Sequence, residues 1–346
     1  MPRLAIFSYK KVGGERDLLG RKKHYRRMNR PGIWKYSPFL PVPRGTNSIV
    51  SMNEGNTSLV ESVHRKNVFF KLEYENPTGS FKDRGSTVEL SHAKANGFKK
   101  VVCASTGNMG ASVSAYAARA GIEATICVPR HVPENKMKQI LAYGAKLIHV
   151  NGDYNEALKK TWEIASRQKG FMLTGDYPLR MEGQKTIAFE IVEQLNGKTP
   201  AQIIVPVGNG TLLTALHAAF LQMKQKKMVK KIPALIGVQA EKCAPLVDAF
   251  EKKTIHFTVK KNPHTIAGAI ECGNPIYGQE TLGCVHETHG KMLAVSEKRM
   301  KEAKLELAQR EGLYTEYSGA AAYAVSQDYA WKGITVVLLC GHGLKE

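Results

Sequence analysis

Apolar residues gather in short runs through the middle of the chain, separated by stretches in which small and polar residues recur with a helical period. The runs VVCAS (101–105), ATICVP (124–129), KLIHV (146–150), QIIVPV (202–207), ALIGVQ (234–239) and ITVVLLC (334–340) are rich in β-branched residues, which predicts buried strands. Between and around them, residues 108–120, 133–143, 155–167, 182–195 and 211–223 read as amphipathic or small-residue helices. Gly121 and Gly144 stand where a helix-terminating glycine belongs, and Pro133 is placed to open the next helix. Strand–helix–strand alternation predicts parallel sheets covered by helices on both faces, with ligands held at the carboxyl ends of the strands. There is no internal repeat or low-complexity linker, so two lobes interwoven along the chain are expected. The periodicity is weakest in the first 30 residues.

The length, 346 residues, and a hydrophobic share of 43% suffice for two such lobes. No apolar run approaches the roughly 18 residues that cross a bilayer, and the charged N-terminus does not read as a secretory signal. The six cysteines (103, 127, 243, 272, 284 and 340) are scattered without a C-x-x-C pair. That speaks against a zinc ribbon or a disulfide framework, predicts no metal, and fits a reducing cytoplasm. Net charge is +20, with ten Lys/Arg against two acids in residues 1–30 and a second cluster in KQKKMVKK (224–231). No nucleic-acid-reading motif accompanies the charge, so a lysine-rich solvated surface is expected rather than a nucleic-acid partner.

Three glycine-rich segments lie at predicted strand ends. STGNMG (105–110) joins a strand to a helix and offers Ser105, Thr106 and Asn108 to a carboxylate, although simple capping would also use such residues. PVGNGTLL (206–213) can fold its backbone N–H groups into a phosphate cradle, but lacks the Walker lysine and the third glycine of a dinucleotide fingerprint. LLCGHGLKE closes the chain, with Cys340 ending the last strand as either a small core thiol or a site residue, and His342 read as a loop histidine. Upstream, NPTGSFKDRGST (76–87) sets Lys82 behind a turn of small residues at a helix start. A lysine amine, a carboxylate loop and a phosphate cradle together point to pyridoxal phosphate acting on an amino acid. Burial at a helix N-terminus favours the neutral, reactive amine.

These segments resemble the threonine synthase family of pyridoxal-phosphate enzymes, within the fold type II group that also holds serine/threonine dehydratases and tryptophan synthase β chains. PGIWKYSPFLP (31–41), EGNTSL (54–59), GSFKDRGS (79–86), STGN (105–108), RMEGQKT (180–186), TIAGAIECGNP (265–275) and CGHGLK (340–345) follow in the family's order. The resemblance implies a two-lobed α/β fold of open parallel-sheet domains. A large cofactor-binding domain would comprise 1–85 and 178–346, and a small α/β domain 86–177. It implies that Lys82 forms the Schiff base and that Asn108 meets the cofactor's phenolic oxygen. Gly208, Asn209, Gly210, Thr211 and Leu212 would hold its phosphate. Ser105 and Thr106 would grip the substrate carboxylate, while Cys340 stands where the family has a hydroxyl residue facing the ring nitrogen. Arg180 matches an arginine that meets a substrate phosphate.

The implied reaction converts O-phosphohomoserine to threonine and phosphate, in a homodimer. The chain departs from the family's pattern at several places. Thr174 and Gly175 replace an Asn-Ser pair near the substrate phosphate, Ser58 replaces a proline, and Tyr317-Ser318 replaces Pro-Ala. Thr174 keeps one hydroxyl for that role. A threonine or serine dehydratase stays open as the alternative. More distant is a non-catalytic basic relative that binds nucleic acid or a partner.

Overall fold

The computed structural model describes residues 31–105, 107–129, 134–151, 154–173 and 178–346. Ten strands form two sheets among these residues. The larger is built from β1 (Leu59–Glu61), β2 (Val68–Leu72), β7 (Gln202–Pro206), β8 (Ala234–Ala240), β9 (Lys291–Val295) and β10 (Thr335–Leu339), in the order β1-β2-β10-β7-β8-β9. The smaller holds β3 (Lys100–Ala104), β4 (Glu123–Pro129), β5 (Lys146–Val150) and β6 (Phe171–Leu173), in the order β5-β4-β3-β6. Every pairing is parallel except β1 with β2, an antiparallel edge. The strands of the small sheet fall between β2 and β7 in sequence.

The helices are α1 (Lys82–Ala95), α2 (Asn108–Ala120), α3 (Glu134–Ala142), α4 (Tyr154–Gln168), α5 (Pro178–Gln184), α6 (Thr186–Gln194), α7 (Thr211–Gln225), α8 (Pro245–Glu251), α9 (Gly278–Glu287), α10 (Glu297–Glu311) and α11 (Tyr317–Asp328). Residues 182–195, expected as one helix, divide between α5 and α6 at Lys185. Both faces of the central strands are buried. Ile203 and Val205 of β7 and Val336 and Leu338 of β10 face one core with α6 and α7, while Ile204, Val337 and Leu339 face another with α11. Such double burial explains why these strands read as unbroken apolar runs rather than alternating ones. In the small lobe Val101 and Cys103 pack under α2, and Val102 and Ala104 pack toward α4. Gly121 ends α2 in the left-handed conformation. Pro133 lies outside the described residues. No helix among the described residues is long and apolar enough to cross a membrane.

Candidate active site

Lys82 is the first residue of α1, and its loop is pinned to the end of β10. Phe81 N donates to Cys340 O at 3.1 Å, Ser80 bridges Gly341, and His342 N donates to Gly79 O at 3.0 Å. Asp83 ties the same loop from inside, accepting from Thr78 N at 2.7 Å and Thr78 Oγ1 at 2.6 Å. Lys82 is partly accessible, whereas Phe81, Asp83 and Arg84 around it are buried. Its amine lies 4.4 Å from the centre of the Phe81 ring. Depth within the protein, followed by the positive charge of Arg180, pushes its pKa down to about 8, against the opposing pull of Cys340, Glu316 and Glu89. The amine is therefore poised to react near neutral pH, as a lysine that attacks an aldehyde must be.

Behind Lys82 lies a cluster of charges that sequence reasoning did not find. Arg84 donates to Glu73 through Nε and Nη2, both at 2.7 Å, and to Glu190 through Nη1 and Nη2, both at 2.8 Å. Lys71 donates to Glu190 at 2.8 Å and to the Thr57 carbonyl at 2.7 Å. All four charged groups are essentially without solvent exposure. The cluster fastens the EGNTSL segment and β2 to α1, which fixes where Lys82 begins its helix. Glu73 and Lys71 look like surface charges in the sequence, and only their convergence from four separate segments reveals the network.

Ser105 and Asn108 sit at the mouth of α2. The Ser105 Oγ accepts from Gly107 N at 3.1 Å and Gly110 N at 2.8 Å, so its oxygen shapes the loop and its hydroxyl hydrogen stays available to a substrate. Asn108 Nδ2 donates to Glu316 Oε2 at 2.8 Å, while Asn108 Oδ1 is buried without a partner. Thr106 and Thr174, both expected at the substrate, lie outside the described residues.

The segment expected as a phosphate cradle joins β7 to α7. Gly210 adopts φ +88°, and a Cβ there would come 2.1 Å from Thr281 Oγ1 and 2.9 Å from Tyr277 O. At Gly208 a Cβ would press on Ala269 O at 3.2 Å and Ile270 Cα at 3.3 Å. The first turn of α7 carries no acidic residue and no side-chain cap, which leaves its N–H groups to an anion. Asn209 is turned to the neighbouring loop, where its Oδ1 accepts from Cys272 Sγ at 3.0 Å and its carbonyl accepts from Tyr277 N at 3.0 Å. Asn209 thus braces this turn through its side-chain oxygen and its carbonyl. Thr211 and Leu212 are buried at the start of α7.

Cys340 directly follows β10 and is 3% exposed. Burial, then the nearby carboxylates of Glu316 and Glu73, push its thiol pKa up, so it stays an S–H, a weak donor. Arg180 is completely buried and forms an ion pair with Glu89 through Nε and Nη2, leaving Nη1 buried without a partner. Its side chain lies against Gly85, where a Cβ would meet Arg180 Cγ at 2.6 Å. The guanidinium is therefore placed beside Lys82 by Glu89 and Gly85, with one N–H edge uncommitted.

The unpartnered donors Ser80 Oγ and Arg180 Nη1, together with a cradle that tolerates no side chain, fit pyridoxal phosphate and a substrate with anionic groups. The family model for pyridoxal-phosphate dependent enzymes matches residues 50–341. A threonine synthase of Methanocaldococcus jannaschii is 38% identical over 328 residues, covering 91% of this chain and 81% of that protein. The chain belongs to the threonine synthase family. A second threonine synthase, from a Synechocystis species, is 37% identical over 326 residues, covering 91% of this chain and 83% of that protein. Among solved structures, maize serine racemase superposes with a TM-score of 0.72 at 19% identity, covering 83% of this chain and 88% of its own. An L-serine ammonia-lyase from Rhizomucor miehei superposes with a TM-score of 0.71 at 24% identity, covering 83% of this chain and 93% of its own. At such identities these two show a shared fold. Like other members of the threonine synthase family, the protein is a pyridoxal-phosphate-dependent lyase with the fold type II architecture. Among the described residues no cluster of His, Cys, Asp and Glu could hold a metal ion.

Proposed function

We propose that the protein makes threonine from O-phosphohomoserine and water, releasing phosphate. The observation that carries this reading is the kinship with threonine synthases over 91% of the chain. The buried guanidinium of Arg180 supports it, because its ion pair with Glu89 leaves Nη1 as a donor for a second anion on the substrate. Bound pyridoxal phosphate supplies an aldehyde carbon for an amine and an electron-withdrawing ring that acidifies the hydrogens of an attached amino acid. Lys82 would hold the cofactor, and its neutral amine would carry protons to and from the substrate's carbons. Gly208, Gly210, Thr211 and Leu212 offer backbone N–H groups to the cofactor phosphate, with Asn209 shaping their loop. Asn108 donates to the phenolic oxygen, and Cys340 offers its S–H toward the ring nitrogen. Ser105 and Thr106 hold the substrate carboxylate, and Arg180 with Thr174 meets its phosphate.

The division into 1–85 with 178–346 and 86–177 follows the allocation of strands between the two sheets and belongs to the same proposal, as do a cytoplasmic location and a homodimer. The dehydratase reading rests on Cys340, whose weak donor leaves the ring nitrogen unprotonated as in some serine dehydratases. The two readings separate by substrate. O-phosphohomoserine should yield threonine with one phosphate released for each threonine formed. Rapid conversion of threonine to 2-oxobutanoate with inert O-phosphohomoserine would overturn the proposal. Removing Arg180 alone would unbalance the buried ion pair with Glu89, so the informative variant pairs Arg180→Met with Glu89→Met. It should lose about 2–5 kcal/mol in kcat/KM for the phosphorylated substrate, with little change for any unphosphorylated one.

A further inference from the structure

Glu316 carries a carboxylate with no solvent exposure at the centre of the site. It stands at the N-cap of α11, yet its side chain does not cap that helix. One oxygen accepts from Asn108 Nδ2 at 2.8 Å, and the other accepts from Ser318 Oγ at 2.6 Å. Its backbone is strapped to the end of β10, with Glu316 N donating to Gly341 O at 2.9 Å. Gly341 must stay bare beneath it, since a Cβ there would come 2.5 Å from the carboxylate carbon. The group therefore sits rigidly between Asn108 of the small lobe and the Cys340–Gly341 turn of the large one.

An asparagine amide has two ends of similar shape, and its neighbours decide which end points where. A carboxylate only accepts, so turning Asn108 over would set Oδ1 against Glu316 with no hydrogen between them. We infer that Glu316 is a positioning residue that locks the Asn108 amide with its NH2 end inward, leaving the second N–H of that group as the donor Asn108 offers to the bound cofactor. Ser318 completes the device by loading the far oxygen of Glu316, so that the near oxygen keeps its aim. This hydroxyl stands where the threonine synthase pattern has alanine, which makes the Ser318–Glu316–Asn108 relay a feature of this chain. The inference rests on the pyridoxal-phosphate chemistry of the family and is independent of which amino acid is the substrate.

The test is a double-mutant cycle read as cofactor affinity, by titrating apo-protein with pyridoxal phosphate and following visible absorbance. Glu316→Gln keeps the shape but can either donate or accept, so it no longer dictates the amide orientation. It should weaken cofactor binding about tenfold, the worth of one well-aimed charge-assisted hydrogen bond. In an Asn108→Ala background the same change should have almost no further effect. Ser318→Ala should weaken binding a few-fold, roughly, and again only while Asn108 is present. Thermal melting of each apo-protein checks that the fold persists, and if Glu316→Gln does not fold, the Ser318 and Asn108 cycle decides by itself. Penalties that add undiminished in the Asn108→Ala background would overturn the inference, because Glu316 would then act on the cofactor or Lys82 without the amide.

Discussion

Apo-protein mixed with pyridoxal phosphate should gain its visible absorbance at a rate that follows the neutral fraction of Lys82. An ordinary lysine titrates near 10.5, and burial followed by the Arg180 charge brings this one down to about 8. At pH 7 roughly a tenth of the protein then carries the free amine, about 300 times more than for an unperturbed lysine. Between pH 7 and 9 the attachment rate should rise roughly tenfold and then level, since few amines remain to be deprotonated. Stopped-flow absorbance from pH 6.5 to 10 measures this, with N-acetyl-lysine in the same buffers correcting for the cofactor's own titration. The paired Arg180→Met, Glu89→Met variant should move the midpoint upward, because the guanidinium is the larger of the two opposed influences. The sign for stability follows from the same depression. Below pH 8 folded and unfolded chains both hold the proton, while between about 8 and 10.5 only the unfolded chain does, so apo-protein gains stability with rising pH there. A rate that still climbs tenfold per pH unit beyond 9.5 would refute the reasoning, since that is how a solvated lysine behaves.

Gly210→Asp should abolish cofactor binding while circular dichroism stays native, because φ +88° and the Thr281 hydroxyl leave no room for a side chain and a carboxylate repels phosphate. Retained binding would place the cradle elsewhere. Glu190→Ala should cost about 3–5 kcal/mol by chemical denaturation, since it strands the buried charge of Lys71 and leaves Arg84 with Glu73 alone. Burial opposes ionisation of Glu190, but Arg84 and Lys71 outweigh it and hold its pKa well below the ordinary carboxylate range. Its contribution should therefore be present above about pH 4.5 and fall away as pH drops further, visible as an acid-side loss of melting temperature that the variant lacks. Cys340→Asp should shift the absorbance maximum of the bound cofactor whereas Cys340→Ser should not, and identical spectra for all three proteins would remove position 340 from the ring nitrogen.

The doubly buried strands were legible from their apolar runs, whereas KLIHV, read as a buried strand, is the edge strand β5 with Lys146 and His149 exposed. Four strands were not legible. β1 is an exposed antiparallel edge of three residues, β6 is equally short, β9 alternates with exposed positions, and β2 hides a lysine whose charge is cancelled from 119 residues away. Lys82 and the two loops that follow strands were readable because glycine beside a reactive group is a local signal. Glu316, Glu89 and Glu190 were not, since a buried carboxylate looks like a surface one until its partner is known. Only the departure at Tyr317-Ser318 marked the neighbourhood of Glu316, and Ser318 is that carboxylate's donor.

The cluster behind Lys82 also limits how this chain can change over generations. A single neutral replacement at position 71, 73, 84 or 190 leaves the desolvated cluster with an uncompensated charge, a loss of several kcal/mol that few folds survive. A well-packed apolar set of the same volume could be as stable, or more so, yet every path to it passes through such a defective intermediate. The lineage is therefore held in place by a valley rather than a peak. Descendants of this sequence can drift freely at their lysine-rich surface while the residues that seat the reactive amine stay together or change together.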